Sequence, residues 1–383
     1  KNGGFDCVIG NPPYGAELSQ EIQTYCLKKY NIGSTDTAQL FMIQAKNILR
    51  KNGFNGFIIP KAFTYASNWA KTREKMLDDI SIVVDCSRVW KEVKLEMTIY
   101  ISENENKSKE FISCLRQNTK IIEIGNIDKK LCRDFNFILN GVNNDEIKIA
   151  KKMLSSTKKI NDFFTNRRGG MFQKELKTEG LYKVLGGKQI QRFYFNKNIN
   201  FVNKKDVEAH PNAFISLESL LVQNIVAHIQ NPFPRIKITA TIANKEICEN
   251  YLILDTVNQL VNNSNFSSQC LLGILNSKLT SWYTYRFVFA NAIRTMHFDS
   301  PTTSKIPFPK IDLSNKLDKE KHDEIVKNVD IILELYKKLQ TEVLPNNINQ
   351  LKERIQYTEN KIDQLVYELY NLTPEEIELV EKS

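Results

Sequence analysis

The stretch DCVIGNPPYG, residues 6–15, constrains what this chain can fold into more than any other. A short run of apolar and small residues leads into Asn11, Pro12, Pro13 and Tyr14. A proline fixes φ and has no N–H to donate, so neither Pro12 nor Pro13 can continue a sheet ladder. The run therefore reads as a buried strand that must stop at Asn11. The strand gives way to a stiff loop that presents carbonyl oxygens, with an amide before it and an aromatic ring after it.

The residues around this stretch alternate between strand and helix patterns. TAQLFMIQAKNILRKNG has apolar residues at helical spacing, with Thr35, Asp36 or Thr37 as the cap and Gly53 as the stop. GFIIP reads as a strand, NWAKTREKMLDD as a helix, and ISIVVDCS and EMTIYIS as two further strands. Alternation of this kind predicts an α/β fold with a parallel-type sheet covered by helices over residues 1–118. Ligands bind such sheets at the carboxyl ends of the strands, which is where NPPY falls.

Beyond residue 118 the pattern changes. Residues 119–155 read as a connector ending in the amphipathic helix DEIKIAKKML. Residues 156–312 carry short β-like runs, YKVLG, FYF, FISL and RIKITATI, interrupted by the helix-like QCLLGILNSKLTSWYTYRF and closed by IPFPKI. A mixed, mostly-β domain is expected there. In residues 313–383, Ile325, Val329, Ile332, Tyr336 and Leu339 step by four and three, and so do Ile348, Leu351, Ile355, Thr358, Ile362, Leu365 and Leu369. With Pro345-Asn346-Asn347 between them, the two stripes predict an antiparallel helical hairpin.

The net charge of +9 is unevenly placed. Residues 1–150 hold 21 basic against 18 acidic residues (+3), 151–310 hold 22 against 10 (+12), and 311–383 hold 10 against 16 (−6). A basic middle segment suits a polyanion, because each neutralised phosphate releases condensed counterions. No apolar run is long enough for a spanning helix, so no membrane partner is expected. The seven cysteines form no C-x-x-C pair, which points to a reduced cytoplasm. The four histidines, 210, 228, 297 and 322, are too dispersed to suggest a metal site.

The chemistry open to Asn-Pro-Pro-Tyr is specific. An exocyclic amine on an aromatic ring is a poor nucleophile, because its lone pair is delocalised into the ring. Two acceptors placed for a tetrahedral nitrogen, the Asn11 amide oxygen and a neighbouring carbonyl, would localise that pair as a methyl group arrives. Tyr14 offers a flat face on which the base can stack.

These residues resemble the γ-class adenine-N6 DNA methyltransferases, whose signature is NPPY after an apolar strand. The likeness continues through STDTAQLFMIQAKNILRKNGFNGFIIP and the helix from Arg73 to Leu77. RGGMFQKELKTEGLYKVLGGKQIQRFYF, LLGILNSKLTSWYTYRF and IPFPKI are similar to the C-terminal target-recognition domains of that class. IDQLVYELYNLTPEEIELV is similar to the helical tail of type IIG restriction–modification polypeptides. The resemblance implies a partial Rossmann-like sheet, S-adenosylmethionine as methyl donor and double-stranded DNA as substrate. It implies that Asn11 and the Pro12 carbonyl, in the loop stiffened by Pro13, hold the amine of a flipped adenine stacked on Tyr14. Trp90 is the match for a second stacking ring, and Asn11 and Asp36 are the cofactor-side residues. Base extrusion is required, since the amine is out of reach inside a stacked duplex.

The family places a G-x-G cofactor loop before NPPY, and no such loop occurs here. The sequence therefore reads as the C-terminal part of a longer polypeptide, with the main cofactor half and a restriction function supplied by a missing N-terminal part or a separate subunit. Three alternatives stay open: a DNA-specificity module with an inert catalytic remnant, a methyltransferase acting on RNA or a glutamine amide, and a Mg²⁺ nuclease centre built from Asp162, Glu175 and Lys177.

For sequence reading, Lys188, Gln189, Gln191 and Arg192 come after Gly186-Gly187 in GGKQIQRFYF. Gln can pair bidentately with adenine, and Arg or Lys with guanine. Arg167, Arg168, Arg235 and Arg294 are expected as phosphate contacts, which position without specifying.

Overall fold

The computed structural model describes residues 3–89, 95–196, 200–293 and 296–382. They form two compact units, residues 1–147 with 286–292, and residues 148–285 with 293–383.

The first unit is built on a six-stranded sheet. Its elements are β1 (Phe5–Gly10), α1 (Gln20–Tyr30), α2 (Thr37–Ile48), β2 (Leu49–Pro60), α3 (Ala62–Tyr65), α4 (Ala70–Met76), β3 (Ile80–Arg88), β4 (Glu96–Glu103), β5 (Glu110–Gln117) and β6 (Lys120–Asp128). The strand order is β1-β2-β4-β3-β5-β6. β1–β2 and β3–β5 are parallel pairs, whereas β4 runs antiparallel to both β2 and β3, and β6 is antiparallel to β5. The expectation of a parallel-type sheet thus holds for β1, β2, β3 and β5 only. EMTIYIS alternates as an antiparallel strand does, and an antiparallel neighbour of β3 needs no crossover helix.

Two boundaries also differ from the sequence reading. The helix expected to stop at Gly53 ends at Ile48, and β2 starts at Leu49. Gly53 lies inside β2, where a Cβ would meet the Phe5 carbonyl oxygen at 2.9 Å. The glycine marks a close strand approach and not a helix end. The start of the expected connector, residues 120–128, is strand β6. β6 lies at the edge of the sheet, and its residues Lys120–Glu123 are exposed.

One face of the sheet is covered. Phe57, Ile59, Val83, Tyr100 and Phe111 are buried there beneath Met42, Phe63 and Met76 of α2–α4 and Trp69 of the turn between α3 and α4. Phe63 meets Trp69 edge-on at 5.9 Å and Tyr100 at 5.7 Å. Full burial of one such side chain contributes about 2–3 kcal/mol. Arg73 donates to the carbonyls of Phe63 and Ala66 at 3.1 and 2.7 Å, which satisfies the end of α3. Burial pulls its guanidinium down to about 10. α5 (Lys129–Asp134) and α6 (Asn144–Leu154) come after β6.

The second unit is the mixed domain. It contains β7 (Phe164–Arg168), β8 (Tyr182–Leu185), β9 (Ile190–Gln191), β10 (Tyr194–Phe195), β11 (Asn200–Val202), β12 (Leu220–Gln223), β13 (His228–Ile229), β14 (Arg235–Ile236), β15 (Ala240–Ile242), α7 (Lys245–Asn250), β16 (Tyr251–Ile253) and β17 (Val257–Asn262). β15-β12-β17-β7 make an antiparallel sheet, and β11-β8-β16 a second, smaller one. Successive residues Val184 and Leu185 of β8 enter two different apolar clusters, as strand alternation requires. FISL, expected as a strand, contributes only a single bridge at Phe214.

The helix-like run is two helices, α8 (Ser268–Asn276) and α9 (Lys278–Phe287), and a short α10 (Ser300–Thr303) comes next. α11 (Lys316–Leu339) and α12 (Pro345–Leu369) form the tail, joined by α13 (Pro374–Glu381). Ile325, Val329, Ile332, Ile355, Ile362 and Leu365 are buried, so the sequence stripes are the packed faces.

Candidate functional site

The loop after β1 leaves the sheet at the carboxyl ends of β1, β2 and β3. Asn11 and Pro13 are exposed, Pro12 is buried and Tyr14 is half-buried. The Tyr14 ring packs on a cluster of Val84, Cys86 and Met97 from β3 and β4. Burial and the neighbouring Asp85 push the Cys86 thiol up to about 11, so this platform is uncharged. Gly15 is next, with φ +72°, a left-handed turn that glycine adopts without strain.

Thr37 fixes the loop. Its hydroxyl donates to the Pro13 carbonyl at 2.7 Å, and the side chain is buried at the first position of α2. Asp36 is the N-cap of that helix, accepting from the Ala38 N–H at 2.9 Å. Behind it, buried Gln39 accepts from the Thr72 hydroxyl at 2.6 Å and donates to Ser34 at 3.0 Å. Sequence reasoning places Thr37 among the cap candidates and misses its bond to Pro13. A contact spanning 24 residues leaves no local signal. Among the described residues, neither the Asn11 side chain nor the Pro12 carbonyl has a hydrogen-bond partner.

The sheet face opposite the helices is apolar and partly open. Ile9, Gly56, Ile101, Ile82 and Ile112 are successive cross-strand neighbours from β1 to β5. Ile9 is 77% exposed and Phe5 61%, on an edge strand that pairs only with β2 among the described residues.

The residues expected to contact DNA fall into distinct situations. Arg192 is not available to read a base. It lies 3.2 Å from Glu359, donates to the Asn276 carbonyl, and is almost wholly enclosed. The RFYF context that suggests a presented strand instead turns Arg192 inward onto α12. Gln189 spends its acceptor oxygen on the Gly186 N–H at 3.0 Å, and Gln191 donates to the Lys188 carbonyl at 3.0 Å, so both brace the turn. Lys188 is exposed. Gly187 allows a close approach, but to the chain itself: a Cβ would meet the Thr256 carbonyl oxygen at 3.0 Å. Lys188, Gln189, Gln173, Gln223 and Thr256 line one cavity of about 450 Å³.

Arg167 is exposed, and Arg168 is exposed but held by the Asp255 carboxylate at 3.0 Å. Arg235 braces its own hairpin through the Asn231 and Phe233 carbonyls. Trp90 and Arg294 lie outside the described residues.

The nuclease alternative does not assemble. Asp162 caps the turn at Lys159 and Lys177 pairs with Asp206 at 2.8 Å. Among the described residues no three His, Cys, Asp or Glu side chains could together hold a metal ion. No helix among them is long and apolar enough to cross a membrane.

Residues 1–88, which contain this loop, match the family of Eco57I restriction-modification methylases. A putative type II restriction enzyme and methyltransferase of Methanocaldococcus jannaschii is 26% identical over 98% of this chain, which spans 32% of that relative. An adenine-specific methyltransferase, BrxX, of Escherichia coli O9:H4 is 26% identical over 21% of the chain and 7% of its own length. Among solved structures, the type IIL restriction-modification enzyme MmeI in complex with DNA superposes with a TM-score of 0.62 at 12% identity, covering 98% of this chain and 56% of that one. The fold is therefore similar to that of a restriction–modification enzyme over nearly the whole chain, and the chain spans about a third of the curated relative that it matches along its whole length.

Proposed function

We propose that this chain is the C-terminal part of a type IIG-like restriction–modification polypeptide that transfers methyl from S-adenosylmethionine to adenine N6 in a specific duplex DNA sequence. The observation that carries this reading is the pairing of two unengaged acceptors, the Asn11 amide and the Pro12 carbonyl, with Tyr14 seated on a fixed apolar platform. Acceptors held rigidly before the reaction cost no reorganisation when charge develops on the nitrogen. A flipped adenine would stack on Tyr14 and place its amine between them. The resemblance to the matched methylase family and the basic middle segment support the same reading.

The cofactor supplies an electrophilic methyl group. Of its contacts we assign Asn11 and Asp36 to this chain. Asp36 uses one carboxylate oxygen to cap α2, which leaves the other for a ligand. The main cofactor half is assigned to a region outside these residues, because β1 is an open apolar edge beside the site. Residues 156–312 are assigned to target recognition, with Lys188 and Gln189 at the cavity wall and Arg167 and Arg168 on phosphates.

The test is transfer of tritiated methyl by the full-length polypeptide to duplex DNA carrying its site. Label in DNA that disappears with Asn11→Ala supports the reading. Label confined to RNA or protein, or none in DNA under conditions of stable DNA binding, overturns it; the last outcome favours a specificity module with an inert remnant.

A further inference from the structure

Lys61, one residue beyond the end of β2, is buried, and nothing in the reading of NPPY uses it. Its ammonium lies 2.6 Å from the carboxylate of buried Asp85 and 3.6 Å from that of half-buried Glu96, whose side chain is 9% exposed. It also donates to the Asn291 carbonyl at 3.3 Å, and its own N–H donates to the Glu96 carbonyl at 2.8 Å. One cation thus gathers the ends of β2, β3 and β4 and the segment 286–292.

That segment is itself tightly held. Arg286 pairs with buried Glu146 at 2.6 Å and Phe287 stacks on Phe135 at 5.2 Å. Ala290 and Asn291 both have left-handed φ, +51° and +56°, a strained turn that aims the Asn291 carbonyl at Lys61.

The location gives the cluster its meaning. Alternation along a strand puts Asp85 on one face and its neighbours Val84 and Cys86 on the other, where Tyr14 packs. Met97, also under Tyr14, directly follows Glu96. Asp85 holds the Ser87 N–H with its second oxygen at 2.9 Å, across a register shift that leaves Ser87 at φ +50°. Bulges next to active sites re-aim side chains. The charge cluster therefore sets, from behind, the strand tips that form the platform of Tyr14.

We propose that Lys61, through Asp85 and Glu96, is a positioning residue for the target-base platform. It touches neither base nor cofactor, and it fixes where Tyr14 sits. This inference rests on the reading of NPPY as the holder of a flipped adenine.

Removing Lys61 alone strands the buried Asp85 carboxylate and leaves the largely enclosed Glu96 carboxylate beside it, which endangers folding. The informative variant is Lys61→Met with Asp85→Asn and Glu96→Gln, which keeps shape and removes all three charges. Lys61→Arg, which retains the charge in a different shape, is the second probe. In the full-length protein, each is measured for kcat, for DNA Kd and for fluorescence of 2-aminopurine placed at the target adenine. Misplacement of a reacting group by about 1 Å costs about a hundredfold. The expected result is a ten- to hundredfold lower kcat in at least one folded variant, DNA Kd within about twofold, and an altered 2-aminopurine signal. Wild-type kcat and 2-aminopurine signal in a folded variant overturn the proposal, as does a parallel loss of kcat and DNA binding. If the wild-type protein itself methylates no adenine, the reading of NPPY fails, and Lys61 is then judged by the 2-aminopurine signal alone.

Discussion

The hydroxyl of Thr37 donates a 2.7 Å hydrogen bond to the carbonyl of Pro13, so the first turn of α2 holds the loop that carries Asn11. Two prolines make that loop stiff, but stiffness alone does not orient it. Thr37→Val keeps the shape and removes the donor. A net loss of about 1 kcal/mol in stability is expected, with a fall in kcat of about tenfold and little change in DNA Kd. Thr37→Ser should restore both. Steady-state kinetics beside a urea titration checks this; equal kcat for the Val and wild-type proteins refutes the assignment.

Arg192 is expected to act on stability and not on sequence preference. Its guanidinium is engaged by Glu359 and the Asn276 carbonyl, with the Arg192 and Glu359 side chains only 12% and 13% exposed. Arg192→Met should cost about 1–3 kcal/mol in stability and weaken cognate and random DNA alike. A selective loss on cognate DNA in a binding competition would return Arg192 to the reading surface.

Lys188 remains the candidate for a base contact, and Arg167 for a phosphate. Lys188→Ala should cost about 1–3 kcal/mol on the cognate site and relax one base pair. Arg167→Ala should weaken all DNA and lower the salt slope by about one. Titrations on cognate and scrambled duplexes at several salt concentrations separate the two behaviours.

Asp363 gives the tail a pH dependence. Burial raises its carboxyl from the ordinary range to about 6, opposed by the hydrogen bond from the Lys278 N–H at 2.8 Å. Between roughly pH 4 and 6 the folded state holds a proton that the unfolded chain has released. Stability from this group therefore falls as pH rises through that window. Asp363→Asn should be more stable than wild type by about 1–3 kcal/mol at pH 7.5, and the gain should vanish below about pH 4. Denaturant midpoints across pH 3.5–8 test the sign.

Much of the first unit is legible in the sequence because its signals are local. NPPY ends β1, Asp36 caps α2, and the stripes of α11 and α12 coincide with their buried faces. The features that escape a sequence reading depend on contacts distant along the chain. The insertion of β4 between β2 and β3 is a matter of pairing, and the assignment of segment 286–292 to the first unit joins residues more than a hundred positions apart. Arg192 resembles a base reader because its neighbours are polar, and only the fold brings Glu359 to it. In the second unit, strands of two to four residues are too short to carry a period, so FISL and β12 cannot be told apart.

These 383 residues alone should bind S-adenosylmethionine weakly or not at all, since the edge of β1 beside the site is unpaired among the described residues. Calorimetry measures this directly. Micromolar affinity would show that the cofactor site is complete within them.

The central claim concerns which atom is methylated. Duplex DNA incubated with the full-length protein and S-adenosylmethionine, then digested to nucleosides and resolved by mass spectrometry, reports the product without reference to sequence or cleavage. N6-methyldeoxyadenosine that is absent with Asn11→Ala, at unchanged DNA binding, is the predicted result. Methylcytosine as the product, or full N6-methyldeoxyadenosine formation by Asn11→Ala, would contradict it.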